Sequence, residues 1–375
     1  MEFPMFVFVA DLRLGTADER EDFLDWGSAL HGPEAHLRVE ATARLDRLFL
    51  EFVRWKLASA ATKGVLPTLV LLGNTFDFWQ TRQRREAPAD CLTRILSVHL
   101  EFTVAIREWM AAGGEVSLVI GSRDQALVEP SAWERLMEIF PQLNLHTQGR
   151  WTHYFTQNEA GLYAEHGGRW NPFCRTRDLT KWNAQCSAAQ LVQELGRRLE
   201  PRFPWLDKVE SFGELMRWLN VLLEGPQQRF YAELIQRLLR KRSAMSRTIA
   251  PWLNGKPVGW QSLADREAHS FHQGILSVRR KSTRPTQAPH TVKFLAHGHS
   301  RIPSIQQPTP RGPIVLCPGT WCPTVTGSPE APKMEQPLPY VELHAPTEEL
   351  QPQGPWQATL GHWRTERQKA LKTKP

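Results

Sequence analysis

The stretch from Leu69 to Trp79 (LVLLGNTFDFW) constrains the fold more than any other part of the sequence. Four apolar residues run straight into Gly73, as a buried strand runs into a tight turn. Asn74 follows, then an acid at Asp77 and a large aromatic at Trp79. In an open α/β sheet, functional groups collect just beyond such strand ends.

The same pattern recurs along the chain. Met5 to Ala10 reads as a buried first strand, and residues 18–62 read as helical, with Leu45, Leu48, Phe49, Phe52 and Val53 at helical spacing. A helix over 90–111 carries Leu92, Ile95, Leu96, Leu100 and Val104 on one face and stops at Gly113 and Gly114. Strands are expected at 115–120, near 143–146 and 151–156 ahead of the stretch Gly161 to Gly167, at 291–296 and 314–316, with a last one at 340–343. Alternation of this kind implies an α/β sheet. The Pro-rich region 323–339 reads as loop, and 346–375 as a weak helix with a basic end. There is no internal repeat.

After Pro172 the pattern changes, and 178–285 reads as mostly helical. Phe212, Leu215, Met216, Leu219, Leu222 and Leu223 form one apolar stripe, and Phe230, Leu234, Ile235, Leu238 and Leu239 another. Arg237, Arg240, Lys241, Arg242 and Arg247 decorate the second stripe. The stripes are core packing; the cations are either a solvated face or a surface for an anionic partner. The expected organisation is a core in two parts, 1–177 and 286–345, split by a helical insertion or cap at 178–285 and followed by a basic tail, 346–375.

A net charge of +7 permits an anionic partner or nucleic acid without requiring one. The 15 tryptophans, several beside Arg or Pro, hint at an interface for a protein partner. No stretch approaches the roughly 20 apolar residues of a transmembrane helix. No basic segment precedes Phe6, so no signal peptide is expected and the expected location is cytoplasmic. The five cysteines are scattered, against a disulfide framework; Cys317 and Cys322 are either small buried residues or metal ligands.

Five strand-end motifs, in order, resemble those of calcineurin-like metallophosphoesterases. Ala10 to Gly15 (ADLRLG) is similar to the family's opening Ser-Asp-Leu-His-Leu-Gly, and Gly73 to Trp79 to its Gly-Asp-x-x-Asp signature. Gly121 to Asp124 (GSRD) is similar to Gly-Asn-His-Asp, Glu165 to Pro172 to the single-histidine motif, and Ala296 to His299 to Gly-His-Thr-His. Gly319-Thr-Trp321 also fits bacterial members, and the nearest branch is that of the UDP-diacylglucosamine hydrolases, which carry helical insertions at this place. The resemblance covers about two thirds of the chain. It implies an α/β two-sheet sandwich of αββα type with a helical insertion. It also implies two divalent metals that clamp a phosphoryl group while a metal-bound hydroxide attacks, with a carboxylate bridging the ions.

Carried over residue by residue, the resemblance places Asp11, His166, His297 and His299 on metal-ligand positions. The other positions have changed. Arg13 stands where a histidine ligand is expected, Asn74 for the bridging aspartate, Ser122 for an asparagine ligand and Arg123 for the catalytic histidine. Gly168 and Asn171 replace a further histidine and aspartate. Two carboxylates thus become neutral amides and two imidazoles become permanent cations, and arginine does not deprotonate to become a ligand. The retained histidines are either hydrogen-bonded residues at a former site or ligands of one weakly held ion (Mn, Zn or Fe), with a full two-metal centre the least favoured arrangement.

The expectation is therefore a degenerate member, inactive or weakly active, acting as a binding or scaffold subunit. The alternatives are a phosphoesterase working with one metal or with arginine assistance, and a nucleic-acid-binding protein. A buried Asp11 must be paired. Without metals, Arg13 or Arg123 is expected to form a salt bridge to it, with Asp77 either a further partner of these arginines or a purely structural residue, and Asn74 adding a neutral hydrogen bond.

Overall fold

The computed structural model of the chain describes residues 5–16, 24–25, 43–64, 66–81, 86–155, 160–168, 218, 221–222, 291–307, 312–322, 324–328, 331–336, 338–344 and 356–364. The strands are β1 (Met5–Val9), β2 (Leu24–Asp25), β3 (Ala43–Arg44), β4 (Thr68–Leu72), β5 (Val116–Val119), β6 (Asn144–His146), β7 (Arg150–Phe155) and β8 (Ala160–Glu165). They continue with β9 (Thr291–His297), β10 (Ser304–Gln306), β11 (Ile314–Cys317), β12 (Thr324–Ser328), β13 (Ala331–Glu335), β14 (Pro339–His344) and β15 (Gln357–His362). The helices are α1 (Asp46–Lys63), α2 (Phe78–Thr81), α3 (Pro88–Val98), α4 (Leu100–Ala111) and α5 (Pro130–Ile139).

Two mixed sheets result. The first runs β15-β14-β1-β4-β5-β6, with β1, β4, β5 and β6 mutually parallel and β14 and β15 antiparallel. The second runs β10-β11-β9-β8-β7, with β8, β9 and β11 parallel. Period-two alternation explains why β1 is apolar throughout. Phe6 and Phe8 join Val70, Leu72, Val341 and Leu343 against Leu162, Ala164, Phe294 and Leu316 of the second sheet. Val7 and Val9 face the other way, with Leu69 and Leu71, onto Phe49 and Phe52 of α1, Ile95 of α3 and Ile106 of α4. A central strand covered on both faces has no polar side to show. Among the described residues the layers are helix, sheet, sheet, and Tyr163, Leu295 and Val315 form a small cluster on the second sheet. The expected helical insertion, 178–285, lies outside the described residues apart from Trp218, Val221 and Leu222, which are helical.

Several local expectations need correction. The helix expected from residue 18 begins at Asp46, and Leu24–Asp25 pairs antiparallel with Ala43–Arg44. Residues 17–23 and 26–42 lie outside the described residues, and Asp46, an acid, opens the first turn of this helix. Its end follows the rule for left-handed caps: Gly64, at φ 65°, donates its N–H to Ala60 O. The helix read over 90–111 is two helices, broken at His99, whose backbone leaves helical geometry (φ −101°, ψ 58°) while its buried ring lies 2.9 and 3.0 Å from the Asp46 carboxylate oxygens. The loop read at 323–339 holds the hairpin β12–β13. The tail read at 346–375 holds an edge strand, β15, with Trp356, Ala358 and Leu360 in alternation against the inter-sheet core; Trp363 and Arg364 after it are helical, and the rest of the tail lies outside the described residues.

Most of the described tryptophans are buried or half-buried in the core. Trp109, Trp218 and Trp321 are fully buried and Trp363 nearly so; Trp55, beside Arg54, is half-buried on Tyr340 and Trp363. Among the described tryptophans, Trp133 is the one that presents its ring to solvent; Trp26, Trp170, Trp182, Trp205, Trp252 and Trp260 lie outside the described residues. No described helix is long and apolar enough to cross a membrane.

Candidate functional site

Because β1, β4 and β5 are parallel, their C-terminal ends share one edge of the first sheet, and β8, β9 and β11 bring theirs to meet it. Backbone bonds close the seam: Asp11 N to Gly73 O, Arg13 N to Asn74 O, Gly298 N to His166 O and Trp321 N to Ala10 O. Two glycines permit this approach. A Cβ on Gly73, which sits at φ 79°, would lie 2.7 Å from His166 Nδ1, and one on Gly298 would lie 2.1 Å from Leu72 O.

Asp11 is at the centre, only 3% exposed. Arg13 grips it with a two-pronged ion pair, Nε to Oδ1 at 2.8 Å and Nη2 to Oδ2 at 2.9 Å. Asn74 Nδ2 donates to Oδ1 at 3.0 Å, and Thr320 Oγ1 donates to Oδ2 at 2.9 Å. Arg301 Nε lies 4.0 Å from Oδ2. Burial pushes the Asp11 carboxyl up, but the charges of Arg13 and Arg301 and the Arg13 hydrogen bond outweigh it and hold the group far below the usual carboxylate range.

A second pair lies alongside. Arg123 bonds Asp77 through Nη1–Oδ2, and its guanidinium sits 5.3 Å over the Trp79 ring. Asp77 Oδ1 also accepts the Trp79 N–H at 3.0 Å, the structural role expected of it. Asn74 Oδ1 accepts the Arg123 N–H at 3.0 Å and the Ser122 hydroxyl at 3.4 Å, so one amide links the loops after β1, β4 and β5. Asp124 fastens the same loops, accepting Phe76 N–H at 2.7 Å and Gly121 N–H at 2.8 Å. Burial pushes its carboxyl up to about 7, against those backbone bonds, which favour the anion.

His166 and His297 are buried and His299 is half-buried, and all three are neutral. Burial lowers His166 and His297 to about 4, and lowers His299 well below its ordinary value with help from the neighbouring His166. Neutrality fixes a hydrogen-bond order. His166 Nδ1 donates to Leu72 O at 3.2 Å, leaving Nε2 to accept from His299 Nδ1 at 3.3 Å. The two rings meet edge-on at 5.1 Å.

Backbone strain gathers at the same place. Four described non-glycine residues have positive φ, and three of them are Asp11 (56°), Arg13 (52°) and Asn74 (51°). Each such conformation costs on the order of 1 kcal/mol or more and persists only where the surroundings hold it.

The two-metal centre implied by the strand-end motifs does not fit these residues. Both Asp11 oxygens are engaged by Arg13, Asn74 and Thr320. Asn74 presents an N–H, not a lone pair, toward Asp11. Both ring nitrogens of His166 are in hydrogen bonds. Among the described residues, no group of three or more His, Cys, Asp or Glu side chains is arranged to hold a metal ion.

The structure thus brings Asp11, Arg13, Asn74, Ser122, Arg123, His166, His297 and His299 to one neighbourhood. Of the two arginines, Arg13 makes the contact to Asp11, and Arg123 pairs with Asp77, the further partner considered for them. Arg237, Arg240, Lys241 and Arg242 lie outside the described residues, as does Asn171. Cys317 and Cys322 are buried thiols that donate to backbone carbonyls, Cys322 to Asp11 O at 3.0 Å and Cys317 to Ser300 O at 3.5 Å. Burial pushes Cys317 up to about 12, as befits an inert side chain. Sequence reasoning missed Arg301 and the Thr320 bond to Asp11. Arg301 stands two residues beyond His299, and its position in the same strand-end loop was the available signal. No protein-family model matches the chain, and no curated protein matches it.

Proposed function

We propose that the chain is a degenerate calcineurin-like metallophosphoesterase that keeps the family's two-sheet αββα sandwich as a scaffold, has lost the hydrolytic centre, and acts as a binding or scaffold subunit. One observation carries this reading: Arg13 and Asn74 occupy Asp11 at the strand ends where the family's metals and bridging carboxylate belong. The chemistry supports inactivity on two further counts. A guanidinium at Arg123, tied to Asp77, neither gives nor takes a proton, unlike the imidazole the family places there. Asn74 is neutral, so it cannot offset the mutual repulsion of two divalent ions. The cofactor expected is none, or at most one weakly held divalent ion.

A protein partner is supported by apolar groups left in water. Leu100 and Val104 lie one turn apart on α4 at 64% and 41% exposure, and Trp133 on α5 is 48% exposed. The test is turnover of aryl phosphate mono- and diesters with added Mn. Negligible hydrolysis is expected. Hydrolysis abolished by His297→Ala would replace this reading with a single-metal enzyme.

A further inference from the structure

We infer that the Arg13 guanidinium is a resident cation of this fold, a side chain that takes over the charge-balancing task of a metal ion at the end of β1, so that the strand-end cluster closes without one. The inference deepens the reading above at the same site. Its test reads stability alone, so it can fail while the hydrolysis assay stands, and the reverse.

Three observations carry it. The first is stoichiometry. The Asp11 carboxylate accepts from Arg13 Nε and Nη2, Asn74 Nδ2 and Thr320 Oγ1, so a buried anion that must be neutralised already has a fixed cation and its hydrogen bonds. The second is backbone geometry. Asp11 and Arg13 are both left-handed, at φ 56° and 52°. Leu12 between them points into the helix-side core, so the two polar side chains are held together away from it. The strain is retained where the ion pair forms, held by Arg13 N to Asn74 O and Leu14 N to Thr75 O. The third is the surrounding charge. The groups that face Asp11 from the other loops are Arg123 after β5, His166 after β8 and His299 and Arg301 after β9. Arg13 is bonded to Asp11, Arg301 stands 4.0 Å from it and Arg123 adds a further positive charge, so a divalent ion entering here would meet cations on several sides.

The cluster therefore ties β1, β4, β5, β9 and β11 at one point through a side chain encoded in the sequence. Its strength is independent of metal supply. It also depends on the flat two-donor head of arginine, which an ammonium does not reproduce.

The experiment uses the full chain and compares the melting temperature of the wild type with Arg13→Gln, Arg13→Lys, Asp11→Asn and the Asp11→Asn/Arg13→Gln double variant. Arg13→Gln is expected to lower Tm by about 5 °C, because it leaves a buried carboxylate without its paired cation. Arg13→Lys is expected to recover only part of that loss. The double variant, with neither charge, is expected to melt above Arg13→Gln. A double variant no better than the single one would overturn the inference. The wild type supplies a second arm that holds even where a variant fails to fold. EDTA, MnCl2 and ZnCl2 are each expected to shift its Tm by no more than about 1 °C. A rise of several degrees with Mn or Zn, or a comparable fall with EDTA, would show that the resident cation is a metal and not Arg13.

Discussion

Asn74→Asp asks what a single restored carboxylate does to this site. Asn74 Nδ2 lies 3.0 Å from Asp11 Oδ1, so the substitution exchanges a hydrogen bond for two facing anions. The other contacts survive, because Oδ1 still accepts from Arg123 N and the Ser122 hydroxyl. At an effective dielectric of about 20, two unit charges at that spacing repel by about 5 kcal/mol. Arg13 and Arg301, already beside Asp11, offset part of this and leave a net loss of ~2–4 kcal/mol, or ~2–5 °C in Tm for a chain of this length. The pH dependence has a definite sign. Two carboxylates this close share one proton, so the folded-state pKa of the pair is raised above its unfolded value. Stability is then retained at low pH and lost as pH rises through the raised value. The gap in Tm between variant and wild type, measured by calorimetry from about pH 5 to about pH 8, is expected to widen with pH. A gap that stays within about 1 °C, or does not change with pH, would refute the reasoning, because the Asn74 amide would not then be the neutral neighbour that Asp11 requires.

Two further perturbations follow from the same physics. Lys56, 3% exposed, bonds Glu342 at 2.7 Å and lies 3.9 and 4.1 Å from the Tyr340 and Trp55 ring centroids. Burial raises the Glu342 carboxyl, but bonds and charges from His344 and Lys56 outweigh it and hold the group at about 2. Its folded-state pKa is depressed, so the stability it contributes is present above 4.5 and lost as pH falls from 4.5 toward 2. Lys56→Met is expected to cost ~3 kcal/mol near neutral pH in urea unfolding and progressively less toward pH ~3; a constant cost would contradict the pairing. At the site, the combined exchange Arg13→His, Asn74→Asp and Ser122→Asn is expected to create Mn or Zn binding detectable by titration calorimetry, whereas Arg13→His alone destabilises and binds neither.

How much of this was legible in the sequence depends on the range of the interactions. The apolar runs at 6–9 and 69–72 signalled strands buried on both faces, and the glycines after them placed the strand ends where side chains converge. An arginine on Asp11 followed from the cost of leaving that acid unpaired, but which arginine did not, since both stand on neighbouring strand-end loops. Spacing could not decide it; the left-handed backbone at Asp11 and Arg13 did. The Thr320 bond to Asp11 joins residues 309 positions apart and has no local signature. The break at His99 was hidden because α3 and α4 share a common apolar periodicity, and only the buried Asp46 shows why the chain turns there. By contrast, β15 was legible and was missed: Trp356, Ala358 and Leu360 alternate as a strand does, within a polar segment that reads as a tail.

The central claim is that a side-chain cation has replaced the metals. It is met most directly by elemental analysis of protein purified without chelators and without a metal-affinity step. The account predicts well below two ions per chain, because Asp11 is already paired with Arg13 and Asn74 carries no bridging charge. Two tightly bound Mn, Fe or Zn ions per chain would contradict it.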